Sequence, residues 1–331
     1  MRNNIFLIHD GVNNSVFFSQ VLSPFKQQAH SNPDEKFYIF SFSENKGRLI
    51  FGLPKNLHII FANKSFFQTI NIIRFKKFLK TKPNNFVIAR NAIAGFIAQK
   101  AGCTNLLIQA RGILTEEYQL ANSITNNNIF KNIFIKLRER YYRHIEKTVY
   151  GNNNNKIEAV SAAMQLFLNK QYNISLNNIS IAHLDIPKII DPKKLFEWRA
   201  NIRKKLNIKI DTNVICYSGS VQAWQHPKDI VPFLKSILNS NSSSILLILT
   251  TDIIEFKKFL EIENISADKY KLLSVEPNKM FEYLAAADFG IIYRKEHIVN
   301  WVSRPTKALE YKAAGLKIIH NNTVDFLNSQ F

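Results

Sequence analysis

The stretch Ser303-Arg304-Pro305-Thr306-Lys307-Ala308-Leu309-Glu310-Tyr311-Lys312-Ala313-Ala314-Gly315-Leu316-Lys317-Ile318-Ile319 decides the reading of the fold. Pro305 suits a first helical turn, where its missing N–H costs little. Gly315 suits the position just past a helix end, where a left-handed backbone is wanted. A helix over Pro305–Ala314 follows. Apolar strands flank it, Phe289–Tyr293 before and Leu316–His320 after. Strand, helix and strand at these lengths make one parallel crossover unit.

The same alternation extends in both directions. In the second half, strands are expected at Asn213–Ser218, Ser244–Leu249 and Tyr270–Val275, with helices at Pro227–Leu238, Ile253–Ile262 and Asn278–Ala287. In the first half, strand-like runs fall at Ile5–His9, Phe37–Ser41, Leu57–Phe61, Phe86–Ala89, Asn105–Gln109 and Lys156–Val160. Helical spacing marks Val16–Ala29, Ala92–Ala101, Phe130–Val149 and Ala162–Lys170. Such alternation predicts an α/β protein with mainly parallel sheets. The pattern lapses around His183–Asp191, beside Pro187 and Pro192. This places a boundary between domains 1–186 and 187–331, a division that the length of 331 residues also favours.

Lys and Arg outnumber Asp and Glu by 44 to 25, a formal charge of +19. That excess points to an anionic partner: a phosphorylated substrate, an anionic membrane surface or nucleic acid. Cys103 and Cys216 are expected to be free, buried thiols. The first apolar run breaks at His9-Asp10-Gly11, too soon for a secretion signal. No run approaches the ~20 apolar residues that a membrane span needs. A cytoplasmic chain is the expectation. The sequence has no Gly-x-Gly-x-x-Gly, no phosphate-loop pattern, no Asp-x-Asp, no Cys-x-x-Cys and no Gly-x-Ser-x-Gly. No metal and no resident cofactor are expected.

The segment 303–319 carries chemistry of its own. Free amides and the positive dipole at a helix N-terminus attract anions. Arg304 and Lys307 add charge there, and Thr306 adds a hydroxyl. Glu310 lies one turn on, on the face of Thr306 and Lys307. A pyrophosphate suits such a place.

With Tyr283–Asp288 ahead of it, this segment resembles the donor-binding core of family-four, two-domain retaining glycosyltransferases. The run Tyr217-Ser218-Gly219-Ser220-Val221-Gln222-Ala223-Trp224-Gln225 looks like the first strand and loop of their donor domain. The resemblance implies a GT-B fold: two Rossmann-like domains with parallel sheets facing each other across a cleft. It implies that the second domain binds a nucleotide-diphosphate sugar as substrate and that the first faces the acceptor. Arg304 and Lys307 would be the catalytic cations, stabilising charge on the leaving pyrophosphate. Gly219, Ser220, Ser303, Pro305, Thr306 and Gly11 would line the donor, with Glu310 on its ribose. The backbone at Val275 and Glu276 would meet its base. Arg111 and Glu117 are cleft candidates, with an ion pair inside the domain as the competing reading. Ser161 reads as a plain helix cap.

The chain departs from that family in three places. Val302 stands where the family carries its first glutamate, and Ser220 and Gln225 stand where it carries an Arg and a Lys. The family also continues past the strand at 316–320, so a shortened second domain is expected.

Two basic aromatic segments, Phe66–Lys80 and Phe130–His144, have the composition of helices that lie on anionic membranes. The expected acceptor is a glycan or lipid-linked saccharide, reached from the inner face of a membrane. Two other readings compete. A basic nucleic-acid-binding protein lacks any recognisable motif, and a catalytically degenerate transferase would act as a partner subunit.

Overall fold

A computed structural model describes residues 2–9, 11–12, 17–43, 52–122, 129–183, 190–221, 227–240 and 243–330. The chain divides into two units, Met1–Ala182 and His183–Phe331. The boundary expected at 186/187 lies outside the described residues.

The first unit runs β1 (Asn3–Ile8), a π turn at Phe18–Leu22, α1 (Ser23–Ser31), β2 (Lys36–Ser41), β3 (Leu57–Phe61), α2 (Gln68–Lys80), β4 (Asn85–Arg90), α3 (Asn91–Lys100), β5 (Leu106–Ala110), α4 (Leu114–Asn122), α5 (Ile129–Tyr150), β6 (Lys156–Ala159), α6 (Ala162–Tyr172) and β7 (Ile179–Ile181). Its seven strands are ordered β3-β2-β1-β4-β5-β6-β7, and each pairing is parallel. The central strands are apolar on both faces, as helices on both sides require. Ile5, Leu7, Ile39, Val87 and Ile108 are fully buried.

Polar side chains fix several helix ends. Ser161 Oγ accepts the Met164 amide at 3.1 Å, capping α6 as expected. Buried Glu146 on α5 accepts the Leu114 amide at 2.8 Å and the Tyr172 hydroxyl at 3.1 Å, and it also bonds Thr115. One carboxylate therefore holds the start of α4 against α5 and α6. Burial pushes its pKa up.

The second unit runs α7 (Pro192–Lys205), β8 (Val214–Ser218), α8 (Pro227–Ser240), β9 (Ile245–Leu249), α9 (Ile253–Ile262), β10 (Tyr270–Leu273), α10 (Met280–Leu284), β11 (Phe289–Ile292), α11 (Ile298–Trp301), α12 (Thr306–Ala313), β12 (Lys317–His320) and α13 (Asp325–Gln330). Its five parallel strands are ordered β10-β9-β8-β11-β12.

Three features differ from the expectation. Helices α4 and α7 were not foreseen, because α7 is dominated by charged residues and its apolar rhythm is faint. Its start was legible in Asp191-Pro192: Asp191 Oδ1 accepts the Lys193 amide at 2.9 Å. The helix expected to reach Ala287 stops at Leu284, because Arg199 and Arg203 take its terminal carbonyls, Ala287 at 3.0 Å and Ala286 at 2.9 Å. Cys103 is half-buried, whereas Cys216 is buried; both are free.

Tyr311 on α12 sets the height of that helix above the sheet. Its ring lies so close to Gly290 of β11 that a Cβ there would stand 2.3 Å from a ring carbon. Gly290→Ala is expected to cost about 1–3 kcal/mol through overpacking, measured as a lower urea midpoint at unchanged slope. An unchanged midpoint would show that the Tyr311 ring is free to move away.

Candidate functional site

In a parallel sheet, the strand whose crossover leaves in the opposite direction from its neighbour's opens a crevice at the carboxyl ends. In the second unit that point lies between β8, which crosses to β9, and β11, which crosses to β12. The pairing shows the opening directly. β8 and β11 are in register only at Ile215–Phe289 and Cys216–Gly290, and beyond these the ladder ends.

A side chain closes the gap left in the ladder. The Ser218 amide donates to the Tyr311 hydroxyl at 3.0 Å, and that hydroxyl reaches the Ile291 carbonyl at 3.4 Å. Two backbone groups that would otherwise be buried and unpaired are satisfied. Tyr311 thereby fixes α12 over the crevice. Because a crossover helix runs antiparallel to the strands, the start of α12 lies at their carboxyl ends.

Lys307 sits in that first turn. Its ammonium lies 5.3 Å from the centroid of the Tyr217 ring, within cation–π range. Part of its side chain is exposed, but the ammonium is enclosed by protein. Burial first, and then Arg294, pull its pKa down to about 7, against a smaller opposing pull from Glu310 and Cys216. Glu310, one turn later, is half-buried, and burial raises its pKa while Lys307 lowers it. Lys307 and Glu310 are therefore neighbours, as the helical spacing predicts.

The Gly219 amide donates to the Leu249 carbonyl at 3.0 Å, and the Val221 amide to Asp252 at 2.8 Å, so the loop after β8 is held. The Ser220 carbonyl lies 3.4 Å from the Tyr217 hydroxyl. Ser303 Oγ donates to the Asn300 carbonyl at 2.8 Å. Arg304 is half-buried and Thr306 exposed. Pro305 is the residue before the helix rather than its first residue. Val275 and Glu276 follow β10, and Val275 packs against the core. Gln225 lies outside the described residues. Val302 is 1% exposed, so the position where the family resemblance expects a glutamate is a core position in this chain.

Sequence reasoning missed Arg294. It lies just past β11, and its backbone is locked to Asn321: its amide donates to Asn321 at 3.1 Å and its carbonyl accepts from Asn321 at 2.6 Å. The guanidinium donates to the Tyr293 carbonyl at 2.9 Å, and burial lowers its pKa. The available signal was a cation directly after a predicted strand end, at Tyr293-Arg294-Lys295.

Asp288, part of the segment that carries the resemblance, lies at the opposite end of β11. It binds Arg199 at 2.6 Å and Arg203 at 2.8 Å, and accepts the Val214 amide at 2.8 Å. A cavity of about 430 Å³ lies at that same edge, lined by Leu195, Phe196, Arg199, Asp288 and Lys317 among others. It is remote from the crevice.

In the first unit, Gly11 is exposed, and a Cβ there would meet nothing. Arg111 pairs with Glu158 at 2.8 Å, and its amide donates to Asn91 at 3.1 Å. Glu117 is exposed, with its carboxylate against Gly112. His9, at the end of β1, is buried, and desolvation with help from Lys64 lowers its pKa to about 3. Among the described residues, no group of three or more His, Cys, Asp or Glu converges as a metal site would.

No family model matches the sequence, and no curated protein matches it. Solved structures do resemble the fold. A glycosyltransferase from Rickettsia africae superposes with a TM-score of 0.66 at 15% identity, over 99% of this chain and 81% of that one. WaaG, a glycosyltransferase involved in lipopolysaccharide biosynthesis, gives 0.66 at 16% identity, over 98% and 83%. Anabaena HepE in complex with UDP and glucose gives 0.63 at 10% identity, over 98% and 82%. The chain has the two-sheet α/β fold of GT-B glycosyltransferases.

The lowered pKa of Lys307 fixes a pH dependence. Its ordinary value is 10.5 and its folded value about 7, so between them the unfolded chain holds the extra proton. Folding stability gains from this residue as pH rises through that window. Lys307→Met is expected to stabilise the chain more at pH 6 than at pH 9, measured by urea unfolding. An equal effect at both would refute the assignment.

Proposed function

We propose that this protein is a glycosyltransferase that uses a nucleoside-diphosphate sugar. The observation that carries the reading is the enclosed Lys307 ammonium beside Glu310 at the β8–β11 crevice, on a fold that HepE uses with UDP and glucose. An enclosed cation at the carboxyl edge of a parallel sheet stabilises charge that develops on a leaving pyrophosphate. Arg304, Ser303 and the amides at Thr306 lie beside it, and Glu310 is placed to accept from a ribose diol. Gly219 and Ser220 form the facing wall, and the backbone at Val275 and Glu276 meets the base.

Transfer with retention of configuration follows the resemblance in 283–319, and independence of divalent metal follows the lack of Asp-x-Asp. Thermal shift with UDP, GDP and CMP tests the donor site. One of the diphosphates should raise Tm by roughly 2–8 °C at saturating ligand, and Arg304→Ala and Glu310→Ala should reduce the shift. No shift with any nucleotide, or a shift intact in both variants, would remove the site. Turnover of sugar nucleotides should persist in EDTA.

The acceptor is proposed to be a glycan or lipid-linked saccharide at an anionic membrane. Phe66, Phe130 and Phe134 are 80%, 76% and 71% exposed. Ile73, Ile133 and Leu137 are also exposed. Arg138 lies 5.9 Å from the Phe66 ring, so the start of α2 and the first half of α5 share one surface. Lys76, Lys77, Lys131, Lys136 and Arg140 stand on the same helices. Apolar residues this exposed, set among cations, suit an interfacial site. Among the described residues, no helix is long and apolar enough to cross a membrane. The protein should sediment with vesicles containing phosphatidylglycerol and not with pure phosphatidylcholine. Phe130→Ser with Phe134→Ser should abolish this, and equal recovery with both vesicles would refute it.

A further inference from the structure

The cavity of about 430 Å³ at the Asp288 edge takes no part in the donor reading. It is lined by α7, by the starts of β11 and β12, and by the end of α12. Its volume falls in the range of about 300–1,000 Å³ that small-molecule sites occupy.

The walls are held in place from within. Arg199 on α7 donates to the Ala287 carbonyl at 3.0 Å and pairs with Asp288 at 2.6 Å. Arg203, one turn later, donates to the Ala286 carbonyl at 2.9 Å and to Asp288 at 2.8 Å. These bonds tie α7 to the start of β11, so the space between them is built before any ligand arrives.

The lining has a sign. Asp288 is its one carboxylate among the described residues, and two guanidiniums already share it. Lys317 adds a further cation at the start of β12. It is exposed, and its ammonium makes no ion pair or hydrogen bond among the described residues. The end of α12 opposes this with only a partial negative charge. The balance disfavours a cation and favours an anion.

The lining also has an apolar part. Phe196 on α7 is 71% exposed and borders the cavity, and half-buried Phe289 borders it from β11. Aromatic rings gain most from a second ring laid against their face or edge. The Asn213 side-chain amide, also in the lining, is without a hydrogen-bond partner among the described residues. It can both donate and accept.

We propose that this cavity binds a small organic anion with an aromatic body, its acidic group at Lys317 and its ring against Phe196. The site involves neither Lys307 nor Glu310 and stands apart from the donor reading.

The probe is 8-anilino-1-naphthalenesulfonate, titrated by fluorescence at physiological salt. The full chain carries Phe130→Ser and Phe134→Ser throughout, which takes away two exposed rings of α5. Lys317→Glu should weaken binding roughly tenfold or more, as for a lost charge-assisted contact, and Phe196→Ser roughly fivefold. N-phenyl-1-naphthylamine, the same ring system without the sulfonate, should bind more weakly than the sulfonate by a similar factor. Lys228→Glu, at the exposed start of α8, makes the same change of net charge away from the cavity and should leave the affinity unchanged. The proposal is overturned if Lys317→Glu and Phe196→Ser both keep the parent affinity. It is overturned equally if Lys228→Glu weakens binding as much as Lys317→Glu, or if the uncharged dye binds as tightly as the sulfonate. Should Lys317→Glu lose its thermal unfolding transition, Lys317→Met carries the charge test, and parent affinity in that variant would refute the site.

Discussion

The second unit depends on one hydroxyl. Tyr311 occupies the place where the β8–β11 ladder would continue, bonded to the Ser218 amide on one strand and reaching the Ile291 carbonyl on the other. The strands can separate there because a side chain takes over their backbone groups. Gly290 makes room for the ring. The contact also sets α12, which cannot slide without breaking it, and Lys307 and Glu310 are carried by α12.

The opposite edge of the same sheet is built for a different purpose. Asp288 gathers Arg199, Arg203 and the Val214 amide, and Arg203 also bonds the carbonyls of Lys209, Ile210 and Thr212. There the cations outnumber the carboxylate, and both guanidiniums also donate to backbone carbonyls. At the crevice the Arg294 guanidinium bonds the Tyr293 carbonyl, and the Lys307 ammonium lies over the Tyr217 ring. A cavity of about 430 Å³ lies at the Asp288 edge, whereas strand order and charge favour the crevice for the proposed donor site.

Much of this was legible beforehand. The alternation of apolar runs located nearly all the strands, because buried parallel strands must be apolar on both faces. Pro305 and Gly315 bracketed α12, and Gly315 takes the left-handed backbone, φ +79°, that its place requires. The approach of Lys307 to Glu310 was contained in their spacing, since residues three apart on a helix share a face. The family resemblance at 283–319 pointed to the fold that the solved glycosyltransferases share. Helix α7 was harder to see, because its stability comes from arginines that reach carbonyls far along the chain rather than from an apolar stripe.

By itself, then, the sequence determined the elements, their parallel arrangement and the local chemistry of the turn at Thr306–Glu310, because these depend on neighbours within a turn or a strand. The tertiary structure alone decided that Val302 is core, that Asp288 serves stability, and that Asn321 holds the backbone of Arg294. Each of these is a meeting between separate elements, fixed by strand order and by the Tyr311 junction, and no local spacing encodes it.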